Sequence, residues 1–292
     1  MIVSISSGGL GNQLFRFFAA LNYALKFRQE LQVDKSSFPK KNDSDLLLAH
    51  RKFDLTDYGA FHKHSRVPYA KNPPPNWVYH IDNLPPLVSA NLGVLSEKNY
   101  HVARTVSPKR YAIDDFQNLE LLPDANVMLE FFDSLLDRPN WLLEGITKAQ
   151  IVKPVFLHIR LTDYLNYPDT YPIPSTRYYS DALALLRKNL PFTEVWLFSD
   201  DPVMAMQYLN GTIKNLKIID IPQNAKPSEV LEMMSYGAGL VMGNSTFSWW
   251  GAYLSKLRNQ KVSIVMPNRF TNLVNDPAEK LRFDGVAIVE ID

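Results

Sequence analysis

The 292-residue sequence contains no cysteine. That absence excludes disulfides, zinc–thiolate and iron–sulfur centres, and a cysteine nucleophile. It also rules out a small secreted disulfide scaffold and favours a reducing, cytoplasmic setting. No apolar run approaches the roughly 18 residues that a membrane span needs, so no transmembrane helix is expected. The opening MIVSISSGG has neither a basic segment nor a long apolar one, so it does not read as a signal peptide. Charge of one sign is in no excess: 31 Lys and Arg face 30 Asp and Glu, a net +1. So balanced a chain has no global field to gather nucleic acid, and at most a peripheral association with an anionic membrane is expected. Glycine is sparse, with 12 residues beside 20 prolines, which excludes collagen-like and low-complexity classes. At about 150 residues per domain the length suggests two domains, each able to bury its own core.

Locally the charge is less even. Lys35 to Arg110 holds twelve Lys or Arg against six Asp or Glu, and five of the six histidines: His50, His62, His64, His80 and His101. This reads either as a solvated basic surface or as a face for an anionic partner such as a lipid-linked phosphate. The chain begins with a β-branched strand, Ile2 to Ile5, a turn at SSGGLGN, and an amphipathic helix from about Asn12 to Phe27 carrying Leu14, Phe17, Phe18, Leu21 and Leu25. Leu31 to Asp34 resembles the next strand. From Ser36 to Arg110, prolines 73–75, 85 and 86 break every pattern, although Trp77, Tyr79 and Ile81 call for burial. Val127 to Phe132 reads as a strand and Asn140 to Gln150 as a helix. After Pro154, strands at 155–159, 194–198, 216–219, 239–242 and 261–266 alternate with helices at 176–188, 202–209, 227–235 and 247–254. The expected fold is therefore α/β with a doubly wound second domain, divided as 1–152 and 153–292.

Ligands of doubly wound sheets bind beyond the carboxyl ends of the strands. Four polar clusters sit at such ends. Gly8-Gly9-Leu10-Gly11-Asn12-Gln13 follows the first strand; it matches neither a dinucleotide fingerprint nor a P-loop. Its glycines either let a ligand approach the backbone or form a tight turn with Asn12 as helix cap. His158 and Arg160 share one face of a strand, and the guanidinium fork suits phosphate, with Asp163 as its orienter or as a proton acceptor. Asp200-Asp201 follows Phe198-Ser199; a metal pair, a helix cap and a nucleotide-base contact all fit. Asn244-Ser245-Thr246-Phe247 opens a helix after a strand and forms an anion site from hydroxyls and N–H groups. The following Trp249-Trp250 pair suits core or a sugar platform. Asp43-Ser44-Asp45 reads as solvated surface or a helix start, and His62-Lys63-His64, with no third ligand in sight, as a surface loop rather than a metal site.

Together, GGLGNQ, the HxRxxDY-like His158 to Tyr164, Phe198-Ser199-Asp200-Asp201 and the long, specific Asn244-Ser245-Thr246-Phe247-Ser248-Trp249-Trp250-Gly251-Ala252 resemble the inverting α1,2-fucosyltransferases of glycosyltransferase family 11. One basic residue of the family's usual Arg-Arg-Gly-Asp is missing, because Arg160-Leu161-Thr162-Asp163 stands in its place. Met234 to Gly239 also lacks the polar Cys and His often found there. The resemblance implies a GT-B-like enzyme of two facing Rossmann-like domains, the C-terminal one binding the nucleotide. It implies transfer of L-fucose from GDP-L-fucose to the 2-hydroxyl of a galactose-terminated glycan, free or lipid-linked, without a metal or cofactor. A bacterial-type enzyme at the inner membrane face, building O-antigen or a similar surface glycan, follows from the same likeness. Arg160 would stabilise the leaving diphosphate, His158 would steady ribose or phosphate, and Asp163 would be the base or the anchor of Arg160. Asp200 would meet guanine; Asn244, Ser245, Thr246 and Phe247 would hold the diphosphate; Gly9, Gly11 and Asn12 would close over the sugar. Another GDP-sugar or linkage, or a non-catalytic nucleotide- or glycan-binding relative, stands as the alternative.

Overall fold

The computed structural model describes residues 1–38, 52–66, 75, 78, 84–101 and 109–291. Asp43, Asp45, His50, Trp77, Tyr79, His80 and Ile81 lie outside the described residues. The chain divides into two units, Met1–Leu136 and Asp137–Asp292. The division falls ahead of the expected 152/153 boundary, because helix α5 (Asn140–Val152) packs on α8 (Pro227–Met234) inside the second unit.

In the first unit β1 (Ile2–Ile5) is followed by α1 (Leu10–Lys26) and β2 (Leu31–Asp34). Gly9, not Asn12, caps α1, which starts two residues earlier than the expected Asn12. Gly8 supplies the left-handed φ of +76° that the turn needs; a side chain there would press on Asn12. Two short strands in the Pro-broken stretch, β3 (Val94–Leu95) and β4 (Arg110–Ala112), complete a sheet of order β2-β1-β4-β3 in which every pairing is parallel. Val127 to Phe132 is not a strand but lies within α4 (Ala125–Asp133). Its Met128, Phe131 and Phe132 are buried at helical spacing, which overrides the β propensity of the segment. Phe17 of α1 meets Phe131 at 5.1 Å and Phe61 of α2 (Gly59–His64) at 5.5 Å, so aromatic packing joins these helices. His62-Lys63-His64 therefore belongs to a helix rather than a loop, with Lys63 paired to Glu130.

The second unit alternates strands and helices: β5 (Val155–Ile159), α6 (Thr176–Arg187), β6 (Val195–Ser199), α7 (Pro202–Leu209), β7 (Leu216–Ile218), α8, β8 (Gly239–Val241), α9 (Thr246–Arg258), β9 (Ser263–Pro267) and β10 (Val286–Val289). The sheet order is β10-β9-β8-β5-β6-β7, with every pairing parallel. This is the doubly wound order of two mononucleotide-binding halves, and winding reverses between β5 and β8. β10 is a sixth strand beyond the five expected; it is short and only partly buried, so its sequence carries little pattern. The central strands β5, β6 and β8 bury nearly all their side chains, as expected for strands covered on both faces, whereas the edge strand β7 is largely exposed. Trp249 and Trp250 are fully buried, with Trp249 Nε1 donating to the Leu281 carbonyl at 2.8 Å, so both belong to the core.

Glu232 of α8 is buried among cations. Arg258 Nη2 lies 2.8 Å from one carboxylate oxygen, Arg138 Nη2 lies 3.7 Å from the other, and Tyr236 donates a hydroxyl. Arg258 also donates to Ser235 and lies over the Tyr236 ring at 4.9 Å. Breaking a buried pair on one side costs about 3–5 kcal/mol, whereas removing both charges costs far less. Arg258→Met is expected to lower unfolding free energy by about 3 kcal/mol, and the double change with Glu232→Gln to recover much of it. Urea denaturation checks this; an unchanged midpoint in the single variant would contradict it.

Candidate functional site

Where winding reverses, the loops after β5 and β8 run to opposite faces of the sheet and leave a crevice at the strands' carboxyl ends. The backbone is tightly packed there. A side chain on Gly243 would sit 2.9 Å from the His158 carbonyl oxygen, so only glycine allows the two strand ends to lie together. His158 is buried, and its Nδ1 has no hydrogen-bond partner. Burial, with help from Arg160 and against the pull of Asp200, lowers its pKa from 6.5 to about 4. The ring is thus neutral near pH 7, and it can fix a ligand by a hydrogen bond but not by charge. Phe247 approaches it with ring centroids 5.9 Å apart.

Arg160 projects from the end of β5. Its Nε and Nη2 donate side-on to the two oxygens of Asp163, at 2.7 and 2.8 Å. Nε also lies 3.4 Å from Asp200 Oδ2. Burial lowers the pKa of the guanidinium, but the Asp163 hydrogen bonds and the two nearby carboxylates outweigh it, and the net shift is upward. With both oxygens engaged, Asp163 is an anchor for Arg160. Between the two readings of Asp163 that the sequence left open, this geometry favours the orienter.

Asp200, expected to meet guanine, is engaged by the protein itself. Its carboxylate accepts from the N–H groups of Leu161 and Thr162 at 3.0 Å each, from the Thr162 hydroxyl, and from Ser199 Oγ at 3.3 Å. Burial pushes its pKa up, but these bonds and Arg160 pull it down further. A carboxylate has about four acceptor positions, and here the protein fills them. Asp200 therefore pins the loop after β5 to the end of β6. Asp201 caps α7, accepting from the Met204 N–H at 2.9 Å. Of the three readings of this acid pair, the cap describes Asp201. Among the described residues no three His, Asp or Glu side chains gather in a way that could hold a metal ion.

Ser245 caps α9 by accepting from the Ser248 N–H at 3.1 Å, and Ser248 Oγ in turn accepts from the Gly243 N–H. This cap leaves the first-turn Phe247 N–H without a helical acceptor, at the positive end of the helix beside Thr246. Asn244 is a clasp: its Nδ2 donates to the carbonyls of Pro172 and Phe270 at 2.6 and 3.0 Å, while its Oδ1 is buried without a partner. Tyr164 donates to the Asn244 carbonyl at 3.2 Å and stacks on Tyr171 at 4.4 Å. Two unpartnered buried atoms, His158 Nδ1 and Asn244 Oδ1, thus flank this end of the sheet, as in a site that awaits a polar ligand. His158, Arg160, Asp163, Asp200, Asn244, Ser245, Thr246 and Phe247 all belong to the second unit. Gly9, Gly11 and Asn12 belong to the first, where Gly9 is exposed and Gly11 is buried in α1.

Sequence reading missed Asp276, which accepts from Phe270 and Thr271 and shapes the loop that Asn244 holds. It also missed the role of Gln13. Gln13 Nε2 donates to the carbonyls of Gly8 and Lys52 at 3.0 and 2.8 Å, and its Oε1 accepts from the Asp54 N–H at 3.0 Å. A buried amide in the first turn of a helix, next to a glycine pair, was the signal available.

The model of glycosyl transferase family 11 matches residues 130–280, more than half of the chain. The chain belongs to glycosyl transferase family 11. Residues 130–280 include every second-unit site residue named above. The chain is similar to the O-antigen biosynthesis glycosyltransferase WbnK of Escherichia coli, 26% identical over 289 residues, covering 89% of this chain and 92% of that protein. It is also similar to an alpha-1,2-colitosyltransferase of Escherichia coli, 23% identical over 263 residues and 87% of each. A solved fucosyltransferase NodZ from Bradyrhizobium aligns over 87% of this chain and 92% of its own, at 13% identity and a TM-score of 0.48.

The depressed pKa of His158 has a pH consequence. The unfolded chain takes up the His158 proton near pH 6.5, and the folded chain only near pH 4. Stability is therefore expected to fall as pH drops through this window, and to be independent of this residue above it. Ring-nitrogen NMR is expected to show a neutral His158 at pH 5.5; a protonated ring there would contradict the burial argument.

Proposed function

We propose that this family 11 protein is a GT-B-like enzyme that transfers L-fucose from GDP-L-fucose to the 2-hydroxyl of a galactose-terminated glycan, with inversion. The observation that carries the reading is the guanidinium of Arg160, held by Asp163 at the crevice between β5 and β8 near the start of α9. In this reading the second unit binds the nucleotide and the first reads the acceptor. As the bond from fucose C1 to the β-phosphate oxygen breaks, charge builds on the leaving diphosphate. Two carboxylates already balance Arg160, so its fork works together with the Phe247 N–H and the α9 dipole rather than as a lone cation. Neutral His158 orients a ribose or phosphate oxygen, and Asn244, Ser245 and Thr246 line the diphosphate. The galactose oxygen attacks C1 from the opposite face, which inverts the anomeric centre.

The name of the O-antigen biosynthesis relative supports a surface-glycan role; a lipid-linked acceptor, met at the cytoplasmic face of the membrane through peripheral contact, belongs to the same proposal. The colitosyltransferase relative favours one second reading, transfer of a different sugar by the same site. Incubating the protein with GDP-fucose and a panel of galactosides, followed by linkage analysis of the product, separates the two. Arg160→Ala is expected to lower kcat/KM by at least about a hundredfold, the usual effect of losing one donor to a developing anion. Unchanged kcat/KM in the folded variant would remove Arg160 from this role. Activity is expected to survive EDTA; full loss that Mg²⁺ or Mn²⁺ restores would assign the charge stabilisation to a metal.

A further inference from the structure

Tyr164 closes the HxRxxDY-like segment, one residue after the carboxylate that holds Arg160, and has no charge to offer a diphosphate. It opens the 3₁₀ turn Tyr164–Asn166, in which the Asn166 N–H bonds the Asp163 carbonyl and the Tyr167 N–H bonds the Tyr164 carbonyl. Asp163 and Tyr164 are therefore carried by one bonded turn. From it the Asp163 side chain grips the guanidinium, and the Tyr164 hydroxyl donates to the Asn244 carbonyl at 3.2 Å. Asn244 directly precedes Ser245, the cap of α9. The Tyr164 ring is fixed in turn by Tyr171, stacked at 4.4 Å with 12° between planes, and the next residue, Pro172, takes the Asn244 amide at 2.6 Å. Tyr164, Asn244 and the 171–172 segment thus brace one another in a closed triangle. The hydroxyl is the side of that triangle that joins the Arg160–Asp163 turn to the start of α9.

We propose that Tyr164 is a positioning residue whose hydroxyl sets the separation between the Arg160 guanidinium and the first turn of α9. The inference rests on the transferase reading and deepens it. A diphosphate has two charged groups, and the crevice has two sources of stabilisation: the guanidinium fork, and the Phe247 N–H at the positive end of α9. They stand on loops after different strands, β5 and β8, so sheet register alone does not set their spacing. Groups that stabilise a developing charge are effective when they are held in place beforehand. The Tyr164 bond supplies that hold across the two loops. Without it Asn244 stays anchored to Pro172 and Phe270. Loss of the hydroxyl alone therefore leaves the fold intact and loosens the spacing.

The test compares wild type with Tyr164→Phe, which keeps the ring on Tyr171. Tyr167→Phe, on the same turn with its ring 52% exposed, is the control. By calorimetry, Tyr164→Phe is expected to weaken GDP about threefold to tenfold, the usual effect of one neutral hydrogen bond. GMP is expected to change by less than about twofold, because a single phosphate needs only one of the two anchors. Transfer kcat with saturating GDP-fucose is expected to fall further, by about 10–100-fold, since a misplacement of about 1 Å costs up to about 10² in rate. The melting temperature is expected to change little, and Tyr167→Phe to match wild type throughout. A purely structural Tyr164 would instead lower the melting temperature and weaken GDP and GMP alike. That result, a Tyr164→Phe variant that does not fold, or a folded one with wild-type kcat and GDP affinity overturns the role of Tyr164 and leaves the transferase reading intact. A wild type that binds GDP but transfers no sugar overturns the transferase reading, and the GDP–GMP comparison then decides on Tyr164. A wild type that binds neither nucleotide overturns both.

Discussion

The second unit depends on how closely β5 and β8 can lie side by side. Gly243 sits against the backbone of His158 with no room for a β-carbon. From that contact the chain winds outward in both directions, through β6 and β7 on one side and β9 and β10 on the other. The crevice left at the carboxyl ends collects His158 and Arg160 from one strand and the start of α9 from the other. Met242 is held from behind by the Tyr178 hydroxyl at 2.7 Å, and Asn244 ties down the two loops at the rim. The site is thus rigid because each of its backbone segments is bonded to a neighbour from a different element.

Its electrostatics follow from the same closeness. Arg160 lies between two carboxylates, so the cluster has one negative charge more than positive, and His158 adds none near neutral pH. A multiply charged anion held here must draw on N–H groups and the α9 dipole as much as on the guanidinium. Asp200 gives up its acceptor positions to hold Leu161 and Thr162, and Asp163 gives up its own to hold Arg160. The acids that look reactive in the sequence are spent on geometry.

That contrast explains what was legible in the sequence. Alternation after Pro154 marked the doubly wound unit, because strands buried on both faces are continuous apolar runs, and it put the polar clusters at strand ends. Very short strands were not legible: β3 and β4 are two and three residues long, too few to show a period. Val127 to Phe132 carries strand-forming residues, and only the packing of Phe131 and Phe132 on α1 makes it a helix. The roles of Asp200 and Gln13 depend on partners 38 to 41 residues away, which spacing along the chain does not reveal. Asp276 remained hidden because the loop it shapes has no recurring motif.

The central claim is that a nucleoside diphosphate binds at the carboxyl ends of β5 and β8, against the first turn of α9. Hydrogen-exchange mass spectrometry of the intact protein with and without GDP tests it most directly, because it reads the N–H groups themselves. Slowed exchange is expected in peptides covering residues 158–164 and 243–249. GDP binding that leaves both segments unchanged, or protects only residues of the first unit, would contradict the account.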